Sequence, residues 1–96
     1  LGVKELSYDQ LVLTTGSKPI SLPDSMGGNL KGVYSVRSLN DVDLMASEFK
    51  RDKTVLIVGG GYIGLEAAAV ASKKGLKVIL VEMADRILQR VAAKET

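Results

Sequence analysis

The sequence predicts an α/β fold with a parallel sheet, on three observations. Thr54 to Val58 is an apolar, β-branched run with no polar alternation, the pattern of a parallel strand covered on both faces. Gly59-Gly60-Gly61-Tyr62-Ile63-Gly64 follows at once and opens an alanine-rich helical stretch. A second apolar run, Leu76 to Val81, ends in Glu82. Strand, helix and parallel strand form a βαβ unit, whose crossover is right-handed in nearly all proteins. The expected architecture is a partial Rossmann-like doubly wound parallel sheet: one dinucleotide-binding βαβ unit with a further segment ahead of it.

The elements follow in order. Leu6 to Gly16 reads as a strand entering a turn, with Leu11-Val12-Leu13-Thr14-Thr15 as its apolar part and Gly16-Ser17-Lys18-Pro19 as its stop. Ser21 to Gly32 is a loop rich in turn formers and the best candidate for a domain boundary. Val33 to Val36 reads as a short strand. Ser38 is placed to cap a helix, with Asp41 in the acidic position of a capping box. Leu39, Val42, Met45 and Phe49 then recur at helical spacing. After Thr54 to Val58, a helix is expected over Ile63 to Lys74. Lys73 and Lys74 sit at the negative end of its dipole, and Gly75 stands at the position after its C-cap. A further helix is expected to start near Asp85.

Composition removes several classes of function. The chain has 96 residues, enough for one small domain, and its 46% hydrophobic and 25% charged residues are ordinary for a globular protein. A net charge of +2, scattered along the chain, does not point to nucleic acid. There is no cysteine and no histidine. Disulfide scaffolds, thiolate metal sites and histidine acid-base chemistry within this chain are thereby excluded, and no metal is expected. Glycines and Glu66 interrupt the longest apolar stretch, so no membrane segment is expected. A cytoplasmic setting fits the lack of cysteine. The chain opens at Leu1 without a starting methionine or a signal peptide and reads as a piece of a longer protein.

The glycine cluster carries the functional reading because three contextual requirements are met. It follows a buried-type strand, it opens a helix, and Glu82 ends the next strand 18 residues past Gly64. Gly59 permits the tight turn. Gly61 lets the backbone approach a pyrophosphate, and Gly64 lets the helix pack close to the sheet. Free N–H groups at the helix start then face the phosphates. The dipole adds only about 0.3–1 kcal/mol when exposed, so oriented N–H bonds must supply the rest. Glu82 is expected to accept hydrogen bonds from the adenosine ribose hydroxyls. Its charge repels a 2′-phosphate and gives NAD a several-fold preference over NADP, with Arg86 nearby in sequence as a source of NADP tolerance. Motif and acid together do not separate NAD from the adenosine half of FAD.

Val55 to Glu66 resembles the NAD-binding segment of the glutathione-reductase-type FAD/NAD(P)-dependent oxidoreductases. Tyr8 to Pro19 resembles the segment by which the chain leaves the FAD domain in that family. Val81 to Val91 is most similar to the ferredoxin, rubredoxin and rhodocoxin reductase branch. The resemblance implies that residues 1–22 end an FAD-domain segment and enter the crossover, and that residues 23–96 begin an inserted NAD-binding domain. It implies hydride transfer from NADH to FAD, then electron transfer to a small iron–sulfur protein such as a ferredoxin or rubredoxin. Tyr62 corresponds to an aromatic residue beside the flavin that moves when nicotinamide enters. Glu66 corresponds to a glutamate paired with a lysine near flavin N5, that lysine lying outside this chain. Thr15 and Gly16 would support the FAD region through their backbone. Gly59, Gly60, Gly61, Tyr62, Ile63, Gly64 and Glu82 would bind NAD(H). The piece alone is expected to be inactive, because the FAD motifs and half of the nicotinamide site are missing from it.

Other readings stand beside this one. Tyr62 also fits an aromatic packed on the sheet at a helix start. Glu66 also fits an exposed first-turn glutamate favoured by the dipole, although a buried carboxylate among Leu65, Ala67 and Ala68 would need a partner. The same flavoprotein fold serves other acceptors: disulfide, oxygen, peroxide or nitrite. A non-catalytic dinucleotide-binding module is the reading from another class.

Overall fold

The computed structural model describes residues 2–95. Its organised part is a βαβ unit. Strand β1 (Thr54–Val58) pairs in parallel with β2 (Lys77–Val81), with Thr54 opposite Lys77 and Val58 opposite Val81. Helix α2 (Tyr62–Lys73) connects them and packs on both strands. These bounds lie within a residue or so of the sequence expectation. Helix α1 (Leu39–Ala46) precedes the unit.

Local hydrogen bonding explains where α2 stops. Gly75 adopts φ +83 and donates its N–H to the Ser72 carbonyl (2.9 Å), while the Leu76 N–H reaches back to Ala71 (3.0 Å). This paired arrangement satisfies carbonyls that the helix end would leave orphaned, and it usually brings an apolar contact between the residues it joins. Here those residues are the buried hydrophobic core: Ala71 at 0% and Leu76 at 8% exposure. The turn before β1 is tied to the same place, because the Asp52 N–H donates to the Gly75 carbonyl (3.0 Å).

The expectation that β1 is covered on both faces is corrected. Val55, Ile57, Val78 and Leu80 are half-buried under α2. Leu56, Val58, Ile79 and Val81 remain open on the other face. Side chains alternate across a strand, so one helix shields one set only. The all-apolar sequence of both strands is thus provisioned for a second layer that no described element supplies.

Helix α1 forms by its cap. The Ser38 hydroxyl accepts the Asp41 N–H (3.3 Å), and the Asp41 carboxylate accepts the Ser38 N–H (2.7 Å). Backbone and hydroxyl bonds from Ser38 hold the Asp41 carboxyl below its ordinary value. Among the described residues α1 packs against no other helix or strand. Leu39 is consequently exposed, while Met45 and Phe49 are half-buried.

Three further expectations fail. Leu6 to Gly16 forms no strand; Leu11, Val12 and Leu13 are exposed. Val33 to Val36 forms none either, and the Val33 N–H donates to Leu30 in a turn. A strand is defined by the ladder beside it, and neither segment has a neighbour to pair with among the described residues. The stretch after Asp85 is turns rather than helix. Leu88 takes φ +56, and its N–H donates to the Gly60 carbonyl (2.9 Å), folding the segment back onto the glycine turn. Ser21 to Gly32 is a loop with a short 3-10 turn at Asp24–Met26.

The accessible surface is 8822 Å², against about 5,300 Å² for a compact monomer of this mass. The radius of gyration is 18.4 Å, against about 12–13 Å for a compact domain of this length. Exposed apolar side chains lie on the open sheet face and in the residues before α1.

Candidate functional site

The parallel register places the C-terminal ends of β1 and β2 level with each other. Gly59 therefore leaves β1 beside the residue that leads to Glu82, and its N–H extends the ladder to the Val81 carbonyl (2.8 Å). The chain then turns sharply at Gly59, with φ +111, a value disfavoured for residues with a Cβ. Gly61 caps α2 in an extended conformation, no side chain caps the helix, and its first turn carries no acid. The leading N–H groups are thus available to an anion.

Each glycine faces a different neighbour. A Cβ at Gly64 would stand 2.0 Å from the Gly59 carbonyl oxygen; the helix start lies directly on the turn. A Cβ at Gly61 would meet nothing within 4 Å; this position opens onto the cleft. A Cβ at Gly60 would lie 2.8 Å from Ile87 Cγ2 and 3.2 Å from a Glu82 carboxylate oxygen. Gly60 is buried and held from both sides, its N–H by Glu82 Oε2 (2.6 Å) and its carbonyl by the Leu88 N–H. Sequence reasoning missed Ile87 and Leu88. The dinucleotide motif ends at the acid, and no residue type in 83–92 announces a fold-back.

Glu82 is fixed in place before any ligand arrives. Its second oxygen, Oε1, accepts the Ala84 N–H (2.8 Å). The N–H groups of Ala84 and Gly60 hold its carboxyl below the usual value, against a smaller opposing effect of desolvation. It is a carboxylate at neutral pH. Each oxygen keeps a further lone-pair direction, so a ribose diol still finds acceptors here.

Gly60, Gly61, Tyr62, Glu82, Arg86 and Arg90 line an open cleft of about 400 Å³, within the usual range of roughly 300–1,000 Å³ for small-molecule sites. Tyr62 is 58% exposed and Ile63 59%. Tyr62 is therefore not packed onto the sheet. Glu66 is exposed and lies beyond the first turn of α2. This corrects both the burial argument for a partner and the first-turn dipole reading. Thr15 and Gly16 lie in the irregular segment before the 3-10 turn, Gly16 with φ +79, outside the lining of the cleft. The Arg86 guanidinium donates to the carbonyls of Ala92 (2.7 Å) and Ile87 (3.3 Å). Among the described residues no group of three acidic, cysteine or histidine side chains is placed to hold a metal. No helix among them is long and apolar enough to cross a membrane.

The residues fit a dinucleotide by this geometry. An uncapped helix start suits the pyrophosphate, the bare Gly61 backbone allows close approach, and an ionised Glu82 suits a ribose diol.

Residues 2–96 match the family profile of the pyridine nucleotide-disulphide oxidoreductases. The chain is 45% identical over 93 residues to the ferredoxin reductase subunit of 5,5′-dehydrodivanillate O-demethylase from Sphingobium sp., an overlap of 95% of this chain and 22% of that one. It is 40% identical over 92 residues to putidaredoxin reductase of Pseudomonas putida, covering 94% and 22%. It is also 40% identical over 88 residues to a monodehydroascorbate reductase of Arabidopsis thaliana, covering 92% and 18%. The chain thus spans about a fifth of the length of these relatives. No solved structure matches it significantly.

Proposed function

Since this chain belongs to the pyridine nucleotide-disulphide oxidoreductase family, we propose that it is the nicotinamide-dinucleotide-binding piece of an FAD-dependent, NADH-using reductase. In this reading residues 1–22 end an FAD-domain segment and residues 23–96 begin the inserted NAD-binding domain. Leu1 and Thr96, at the limits of these segments, lie outside the described residues. The reductase feeds electrons to a ferredoxin- or rubredoxin-like acceptor; the name of the Sphingobium relative, a ferredoxin reductase subunit, supports the first.

One observation carries the reading: the Glu82 carboxylate is fixed by Gly60 and Ala84 N–H groups beside the uncapped start of α2. That pairing offers an acceptor to a ribose diol and N–H donors to a diphosphate within one cleft. When bound, NADH supplies the hydride and FAD accepts it. The residues of this chain hold and orient the dinucleotide. Gly61 and the first N–H groups of α2 bind the diphosphate, and Glu82 holds the adenosine ribose. Ile63 contributes its backbone at the helix start. Tyr62, exposed at the mouth, screens the nicotinamide side of the site. Glu66, exposed on α2, pairs with a lysine of the flavin domain, and Thr15 and Gly16 lend backbone groups to FAD.

The test is a titration of the full-length flavoprotein with NADH and NADPH, followed by bleaching of the flavin absorption, beside Glu82→Ala. Rapid bleaching by NADH, slow bleaching by NADPH and a narrowed gap in the variant are expected. Absence of flavin, or of bleaching by either nucleotide, would leave a non-catalytic binding module as the better account. The similarity to a monodehydroascorbate reductase supports a second acceptor, monodehydroascorbate. Turnover with monodehydroascorbate but not with a ferredoxin would select it.

A further inference from the structure

The glycine turn is braced by a segment outside the dinucleotide motif. Leu88 is held at both ends of its backbone. Its N–H donates to the Gly60 carbonyl (2.9 Å), and its own carbonyl accepts the Val91 and Ala92 N–H groups (3.0 Å each). Leu88 takes φ +56, a left-handed conformation that a leucine keeps only where its surroundings impose it. Arg86 closes this turn. It is half-buried, and both terminal nitrogens donate to backbone carbonyls, Nη2 to Ala92 (2.7 Å) and Nη1 to Ile87 (3.3 Å). A guanidinium is a planar fork that is always protonated, so the clamp does not titrate. The Gly60 carbonyl matters for what lies across its peptide bond. A peptide unit is planar, and in the trans form its C=O and N–H point in opposite directions; no described peptide bond is cis. Holding the Gly60 carbonyl therefore fixes the direction of the Gly61 N–H, beside the uncapped start of α2. Two adjacent glycines would not keep that direction unaided, because glycine restricts its own backbone least.

We propose that Arg86 is a positioning residue for the dinucleotide: by clamping the turn over residues 87–92 it holds Leu88 against Gly60 and sets the Gly61 donor for the diphosphate, without contacting the ligand. The assignment rests on the dinucleotide reading above. Gly60 is then fixed by two separate devices, its N–H by Glu82 (2.6 Å) and its carbonyl by the Arg86-braced turn. The first belongs to the ribose side of the cleft. The second acts on the diphosphate side and depends on a side chain that borders the cleft but spends its donors on the protein's own backbone.

Two measurements on the full-length flavoprotein test this in wild type, Arg86→Ala, Arg86→Gln and Arg86→Lys. Rapid mixing with NADH, followed by flavin bleaching, separates the dissociation constant from the limiting rate. Amide exchange at Leu88 reads the brace itself, with the Leu76 amide at the far end of α2 as reference. In Arg86→Ala the NADH dissociation constant should rise about tenfold, as for loss of one well-directed bond to a charged group. The limiting rate should change less than about twofold, the mark of a binding rather than a chemical defect. Exchange at Leu88 should speed up while Leu76 keeps its protection. Arg86→Lys and Arg86→Gln each keep a donor, one with charge and one without, and each should recover NADH affinity in step with Leu88 protection. These two carry the same comparison should the alanine variant fail to fold. Added salt should weaken NADH binding by the same factor in wild type and in the variants, because no phosphate contact is removed. An affinity that does not follow Leu88 protection across the series would overturn the assignment. So would a salt dependence that shrinks with loss of the guanidinium, which marks a direct phosphate contact. A wild type that neither binds nor oxidises NADH would remove the dinucleotide reading and this role with it, even with Leu88 protected by Arg86.

Discussion

Residues 11–15 and residues 54–58 are both short apolar, β-branched runs, and only the second is a strand. Thr54 to Val58 has β2 beside it in full register and α2 on one face. Leu11 to Thr15 has no partner among the described residues, and Val12 is 81% exposed. The difference lies in what pairs with each run. Strand propensity describes a fit to a pleated, half-buried surface, and without the surface the propensity has nothing to act on. In the proposed reading that surface is the FAD domain, of which residues 11–15 would be an outgoing segment.

The largest effect that would test this contrast is in hydrogen exchange. In the 96-residue chain, amides of residues 11–15 should exchange at unprotected rates, while those of 55–57 and 78–80 are slowed by opening free energies well above zero. In the full-length protein both sets should be protected. Equal protection of both sets in the short chain would break the comparison, and uniform fast exchange would show that the βαβ unit does not hold alone.

Within the organised region, Gly64→Ala should have the next largest effect. Its Cβ would stand 2.0 Å from the Gly59 carbonyl oxygen, a backbone atom that cannot swing aside. The helix must lift from the turn, at a cost of about 3 kcal/mol or more, and nucleotide affinity should fall with it. Chemical denaturation and a nucleotide titration of full-length protein would show this; near-wild-type values for both would refute the contact. Leu76→Ala follows. Leu76 is buried against Ala71 at the joint between α2 and β2, and such truncations cost about 2–5 kcal/mol. Its value belongs at the low end, since one sheet face is open. A loss below about 0.5 kcal/mol in denaturation would mean that the joint is not a core.

Much of this region was legible in the sequence because its signals are local. Ser38 and Asp41 lie three residues apart and satisfy each other across one turn. Gly75 follows its helix as a left-handed terminator, and Gly59 and Gly64 occupy motif positions whose neighbours are also in the motif. The structure after Glu82 was not legible. Leu88 adopts a left-handed backbone that leucine rarely takes, and its partner, Gly60, lies 28 residues away. No periodicity encodes such a bond. The bonds of Arg86 were illegible for the same reason: nearness to Glu82 in sequence says nothing of the carbonyls that hold its guanidinium.

The contact missed by sequence gives a smaller, sharper test. Gly60→Ala places a methyl 2.8 Å from Ile87 Cγ2. The clash should cost about 1–3 kcal/mol, and Ile87→Ala should relieve it, so the double variant is more stable than the sum of the single changes predicts. Additivity in denaturation would mean that Gly60 is glycine for another reason, such as its backbone bonds alone.

The smallest expected effect concerns pH, and it separates Glu82 from the glycines it braces. Its folded-state carboxyl is held below the ordinary value near 4.5 by the N–H groups of Ala84 and Gly60. A depressed carboxylate stabilises the fold above its unfolded pKa, and that contribution is lost as pH falls through the lowered folded value. The window therefore opens just below 4.5 and extends toward acid; neutral and alkaline pH leave it untouched. Protonation weakens the acceptor at Gly60, so the Gly60 and Ala84 amides should lose protection together across that window, while the Leu76 amide, bonded to Ala71 at the far end of α2, keeps its own. Exchange measured residue by residue on wild type and Glu82→Gln would decide it. The variant should already lack the extra protection at pH 7 and show no step in acid. A wild-type profile flat below 4.5 at Gly60 would mean that the carboxylate does not hold the turn, and that the glycine cluster takes its shape from Leu88 and the strand ladder alone.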